Sequence, residues 1–196
     1  MIIRFLFISG GNGSMGKRIA FGGIAVLVVL ALICGLNWLS NKKNEEVSSQ
    51  VRPAIGYLAP DFTLRSLDGK AVRLAAVARN SRLTLVNFWG IWCPYCVKEI
   101  PDLVRFDHQY AGDRKVVLLG VDVGDDPKAV PGFVLKNKMN YPILQDKDNK
   151  VSSLYQVQGF PTTVIIDHRG VIRDLIIGET NFAGLEEKVK KLLSEK

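Results

Sequence analysis

Leu83-Thr84-Leu85-Val86-Asn87-Phe88-Trp89-Gly90-Ile91-Trp92-Cys93-Pro94-Tyr95-Cys96 decides how this chain folds. Leu83–Trp89 is an apolar run of strand length, and from Pro94 to about Tyr110 the apolar residues Val97, Ile100, Leu103, Val104 and Phe106 follow a helical period. Pro101 within that helix is expected to kink it. The two cysteines therefore sit at a strand-to-helix turn, where two intervening residues allow a disulfide with little backbone movement. At a helix N-terminus the unpaired N–H groups and the dipole favour a negative sulfur, which supplies thiolate near neutral pH. Pro94 suits the first helical position. Cys93 is expected as the exposed nucleophile and Cys96 as the buried thiol that resolves a mixed disulfide. A closed structural zinc site needs four ligands, so one isolated Cys-x-x-Cys gives no metal site, and no cofactor is expected.

Outward from this stretch the pattern alternates. Phe62–Leu64 and Ala71–Leu74 flank Asp68-Gly69, a hairpin signal. Val116–Val123 reads as a second buried strand, Lys128–Met139 as a helix that tolerates Pro131 near its start, and Tyr141–Leu144 as a strand. A short helix near Val151–Val157, strands at Thr162–Asp167 and Val171–Gly178 joined through His168-Arg169-Gly170, and an amphipathic helix at Leu185–Leu193 complete the chain. Such alternation implies an α/β architecture, with a mixed central sheet because of the final hairpin.

The formal charge of the 196 residues is +7. Residues 1–51 carry Arg4, Lys17, Arg18, Lys42 and Lys43 against Glu45 and Glu46, a net of +3, so the remainder holds +4 without a basic stripe. Nucleic acid is not an expected partner. Between Ile19 and Asn41 there is no charged residue. A span of about 20 apolar residues crosses a bilayer core of about 30 Å. Lys17 and Arg18 precede the run, and Trp38 sits where an interfacial aromatic belongs. A cleaved signal peptide has a shorter apolar core of about 7–15 residues and an A-x-A-like site, neither of which is found. The division expected is a cytoplasmic segment 1–18 (with Met15 as an alternative start), a transmembrane signal-anchor 19–40, a polar linker 41–55 and a folded domain 56–196.

Other features read as incidental. Gly11-Asn12-Gly13-Ser14-Met15-Gly16-Lys17 mimics a phosphate loop, but Arg18 replaces the magnesium-binding hydroxyl and a membrane span follows. Cys34 is preceded by Ile33 rather than the small residue that lipidation requires, and reads as an apolar side chain in the span. His108 and His168 read as surface residues.

Asn87 to Cys96, with Gly159-Phe160-Pro161-Thr162-Thr163 about 65 residues later, resembles the thioredoxin superfamily. Ala59-Pro60-Asp61-Phe62-Thr63-Leu64 narrows the resemblance to its membrane-anchored ResA/TlpA-like branch, which includes cytochrome c maturation reductants. The resemblance covers about residues 55–194. It implies a thioredoxin-like fold with an N-terminal β-hairpin extension and a redox-active disulfide between Cys93 and Cys96. The proline matching Pro161 is cis in that family, and Trp92, Pro94, Tyr95 and Phe160 then border the surface where a client segment docks. Thioredoxins proper carry a buried Asp where Asn87 stands, which accepts the proton of the second cysteine; Asn87 cannot. Glu99 matches an acidic residue of the ResA-like proteins. A carboxylate there raises the thiol pKa, makes the pair more reducing and gives Cys96 a nearby base. The plainer alternative is a solvated surface glutamate. Pro94-Tyr95 departs from the Glu-Pro of many ResA-like proteins and resembles glutaredoxins, which leaves direction less fixed than chemistry.

The expected function is therefore an extracytoplasmic thiol-disulfide oxidoreductase of the cell membrane, a single-pass protein that reduces protein disulfides such as those of apocytochrome c. A membrane electron donor of the CcdA/DsbD type is the partner that the resemblance implies. The alternatives are a disulfide-forming oxidant and a Cys-x-x-Cys module that delivers copper or haem. A peroxiredoxin is disfavoured, because Gly90 stands where that family needs Thr or Ser.

Overall fold

A seven-stranded mixed sheet is organised around β3 (Leu83–Trp89), every residue of which is buried. The computed structural model describes residues 28–40, 50–110, 112 and 115–195. The chain divides into two units, residues 1–46 and 47–196. In the first, residues 28–40 form a helix, α1, whose apolar side chains, among them Leu32, Leu36 and Leu39, are exposed. Among the described residues no helix is long and apolar enough to cross a membrane. The expected span 19–40 and linker 41–55 lie partly outside the described residues, and segment 1–18 wholly so.

In the second unit the hairpin of β1 (Thr63–Ser66) and β2 (Ala71–Arg73) turns at Gly69, whose φ of +81° suits glycine. A six-residue helix, α2 (Leu74–Arg79), leads into β3. There follow α3 (Pro94–Tyr110), β4 (Val116–Val123), α4 (Val130–Lys136), β5 (Ile143–Asp146), α5 (Lys150–Leu154), β6 (Thr162–Asp167), β7 (Ile172–Ile177) and α6 (Phe182–Ser194). The strand order is β2-β1-β5-β4-β3-β6-β7. β3 and β4 pair in parallel along the whole of β3, β4 and β5 are also parallel, and the other pairs are antiparallel. This is the expected thioredoxin-like α/β sheet with its N-terminal hairpin added at one edge.

Alternation along the central strands feeds two cores. Leu83, Leu85 and Trp89 point to the face covered by Ile100, Leu103 and Phe106 of α3 and Leu185 and Val189 of α6. Val86 and Phe88 point to the other, with Leu74 and Ala78 of α2 and Val151 and Tyr155 around α5. Each large side chain so buried contributes roughly 1.5–3 kcal/mol.

The Ala59-Pro60-Asp61-Phe62 motif has a structural task. The Tyr155 hydroxyl donates to the Pro60 carbonyl at 2.7 Å, and Asp61 accepts from the Ala75 N–H at 2.9 Å and from Arg73 at 2.6 Å. Asp61 thus satisfies the start of α2, a helix the periodicity did not reveal.

β3, β4 and β6 fall where the pattern placed them, and α3 runs through Pro101 without ending. The helix expected at Lys128–Met139 is shorter. It stops at Lys136, where the Asn137 side chain donates to the Phe133 carbonyl and Lys138 takes a left-handed φ of 55°. β5 lies two residues later than expected, so that Asp146 at its end accepts the N–H groups of Val151 and Ser152 and opens α5.

Candidate active site

β3 ends at Trp89 and α3 begins at Pro94, so Gly90 to Cys93 form the turn between them. A Cβ on Gly90 would collide with the Trp92 indole and force it to shift. The Cys93 N–H donates to the Gly90 carbonyl at 3.1 Å, and the Cys96 N–H points at the Cys93 sulfur at 3.1 Å. That is the helix N-terminal donor that favours negative charge on Cys93 once the bond opens. Cys93 and Cys96 are joined in a disulfide with their Cα atoms 5.2 Å apart.

The accessibility of the two sulfurs differs from expectation. Cys96 is fully buried, but Cys93 is only 3% exposed rather than an open nucleophile. Ile91 and Phe160 pack against the cluster that contains it. What is exposed is the rim: Trp92 at 55%, Tyr95 at 62% and, from the end of β7, Ile177 at 70%. Pro94 is also exposed.

The Phe160–Pro161 peptide bond is cis. Phe160 meets Trp92 edge to face with ring centroids 5.0 Å apart, which brings the segment before β6 against the Cys-x-x-Cys turn. Ile177 pairs in register with Thr162 and lies beside Gly159, so it belongs to the same rim. Sequence reading missed it; only the register of β6 and β7 places it there.

Glu99 is buried at 2% exposure, which removes the solvated-surface alternative. One carboxylate oxygen accepts from the Asn87 side-chain amide at 2.8 Å, the other from the Thr180 N–H at 3.0 Å. Asn87 also donates to the Thr163 hydroxyl at 3.0 Å, tying β3, α3 and β6 together. Burial pushes Glu99 up to about 7 against the lowering pull of those two bonds, with smaller raises from Glu179 and Asp102. A carboxyl balanced near neutrality, one helical turn beyond Cys96, can take or return a proton at working pH.

A second group was not foreseen. Asp125, in the turn after β4, accepts the Ile91 N–H at 2.7 Å, and the Trp92 indole N–H donates to the Val123 carbonyl at 3.1 Å. Asp122, within β4, is buried. In the sequence Asp122 falls inside the expected strand Val116–Val123 and Asp125 just after it, with no local signal that marks either.

The disulfide at the start of α3, the buried carboxyl behind it and the sheet that carries both make this protein a thiol-disulfide oxidoreductase. Residues 55–175 match the AhpC/TSA family, and the chain belongs to that family. It is 31% identical over 165 residues to the thioredoxin-like protein YneN of Bacillus subtilis, covering 84% of this chain and 93% of the relative. It is 33% identical over 138 residues to the thiol-disulfide oxidoreductase ResA of Bacillus anthracis, covering 70% and 78% respectively. A solved thiol:disulfide interchange protein of the thioredoxin family from Chlorobium tepidum superposes with a TM-score of 0.62 at 26% identity, covering 74% of this chain and all of that one.

The raised Glu99 has a thermodynamic consequence. Its folded value of about 7 exceeds its ordinary 4.5, so the folded chain binds the extra proton between those values. The stability this contributes is complete below about pH 4.5 and is lost as pH rises through about 7, on the order of 3 kcal/mol in all. Thermal unfolding from pH 5 to pH 8 should show Tm falling in the parent and falling less in Glu99→Gln. Parallel curves would contradict the buried, proton-binding role of Glu99.

Proposed function

We propose that this chain is a membrane-anchored, extracytoplasmic reductant of protein disulfides, with apocytochrome c as the leading client. The observation that carries the reducing direction is the burial of Glu99 behind Cys96. When Cys96 must lose a proton, a carboxyl near pH 7 accepts it; when Glu99 is charged, it opposes a thiolate beside it and withdraws stabilisation from the reduced anionic form. The relatives named ResA are of the same exchange type. A membrane donor of the CcdA/DsbD kind would return the electron pair, regenerating the dithiol from the disulfide.

In the forward reaction the Cys93 thiolate attacks a client disulfide, forming a Cys93–client mixed disulfide and releasing one client thiolate that takes up a proton. Cys96, its proton passed to Glu99, then attacks Cys93, closing the Cys93–Cys96 bond and releasing the second client thiol. Cys93, Cys96 and Glu99 act on protons and electrons, while the cis-Pro161 segment, Phe160, Trp92, Pro94 and Tyr95 border the place where the client would lie. Anchoring is supported by the exposed apolar side chains of α1 and by the uncharged run from Ile19 to Asn41.

Cys96→Ala should accumulate a mixed disulfide with a client, visible on non-reducing gels, whereas Cys93→Ala should accumulate little. Equal trapping by the two variants would overturn the division of roles. Protease added to intact spheroplasts should remove the folded domain; its protection would remove both the proposed location and the proposed client.

A further inference from the structure

Asp122 pairs in register with Trp89 of β3 and Gln145 of β5. Alternation along β4 puts it on the same face as Leu118, which belongs to the cluster containing Cys93 and Cys96. It is 1% exposed, and neither of its carboxylate oxygens receives a hydrogen bond from any of the described residues. A bare buried carboxylate without donors is among the costliest groups a fold can hold.

The charged neighbours make ionisation worse. Asp125 lies within hydrogen-bonding reach and Asp146, at the end of β5, acts from farther off, and both are acids. β3 opposes Asp122 with the uncharged Trp89. α3 covers this face with the disulfide and with Glu99, which is engaged at Asn87. The protonated acid resolves the conflict, because it removes the charge and turns one oxygen into a donor for the Asp125 carboxylate. Burial first, and then Asp125 and Asp146, push Asp122 up to about 8.

Asp125 is the hinge of the arrangement. It accepts the Ile91 N–H at 2.7 Å, next to the Trp92 indole bond to Val123 and two residues before Cys93. Gly90 to Trp92 are thereby tied to the end of β4, and Cys93 is covered.

We propose that Asp122 and Asp125 share one proton and together latch the Gly90–Trp92 segment, keeping Cys93 covered while the proton is in place and releasing the segment when it is lost. Loss leaves two negative charges in contact in a buried site. The half-buried partner, Asp125, is the one nearer solvent and free to swing away, and it leaves the Ile91 N–H behind. The consequence for reactivity rests on the exchange chemistry proposed for Cys93 and Cys96; the shared proton itself does not.

The test uses the full chain, oxidised and ¹⁵N-labelled in detergent micelles. From pH 6 to pH 10 the Ile91 amide resonance should lose its hydrogen-bonded downfield shift with a midpoint near 8. In Asp122→Asn, whose amide donates to Asp125 at every pH, it should stay flat. The rate of disulfide reduction by a water-soluble phosphine, taken as the ratio of parent to Asp122→Asn to cancel the reagent's own pH dependence, should rise several-fold through the same midpoint. An Ile91 resonance that is flat in the parent, or that titrates equally in the variant, overturns the shared proton. A titrating Ile91 with a flat rate ratio overturns the latch on Cys93 and leaves the exchange chemistry standing. The parent titration decides the first point even if the variant does not fold.

Discussion

The pairing of β3 with β4 on one side and β6 on the other places three separate pieces of chemistry on one surface. Because β3 is hydrogen-bonded on both edges and packed on both faces, its last residue has a fixed position, and so has the first turn of α3. The same pairing sets Thr163 beside Asn87 and Asp122 beside Trp89. A slip of one residue in either ladder would turn these side chains to the opposite core. Glu99 would then lose its amide donor, and the carboxyl of Asp122 would leave the face that carries the disulfide.

Two buried carboxyls on that face are expensive, and the fold meets the cost in different ways. Glu99 receives two donors, one from a strand and one from the loop before α6, so that it is poised near neutrality rather than forced to stay protonated. Asp122 receives none and is pushed higher. A group with donors can exchange protons near pH 7 during turnover; a group without them holds its proton to higher pH. The exposed aromatic and aliphatic rim of Trp92, Tyr95 and Ile177 surrounds this polar interior, and an apolar rim excludes water from whatever segment settles on it.

The sequence made the central elements legible because their signals are local. The apolar runs of β3, β4 and β6 are bounded by polar residues, and α3 carries its period over 17 residues. Cys93, Cys96 and the cis-Pro161 segment were readable from spacing and resemblance. α2 was not, since its start depends on Asp61, twelve residues before Arg73, through bonds no local pattern encodes. The position of Glu99 was visible but its burial was not, because that depends on α6 and its preceding loop closing over α3. Asp122, Asp125 and Ile177 were missed for the same reason: Val116–Val123 and Val171–Gly178 read as strands, but only their register shows that Asp122 lies beside Trp89 and Ile177 beside Thr162. Cys93 was expected in the open because an attacking sulfur must be reached, whereas it is buried in a cluster against which Ile91 and Phe160 pack.

The most direct test of the central claim is the reduction potential of the Cys93–Cys96 pair in the full chain, equilibrated with defined dithiol–disulfide buffers at pH 7. A pair whose reduced, thiolate form is disfavoured by a nearby carboxyl should titrate near about −270 mV or lower, as thioredoxin does. A value near about −120 mV, where the thiolate is strongly stabilised, would contradict the account and make the protein an oxidant.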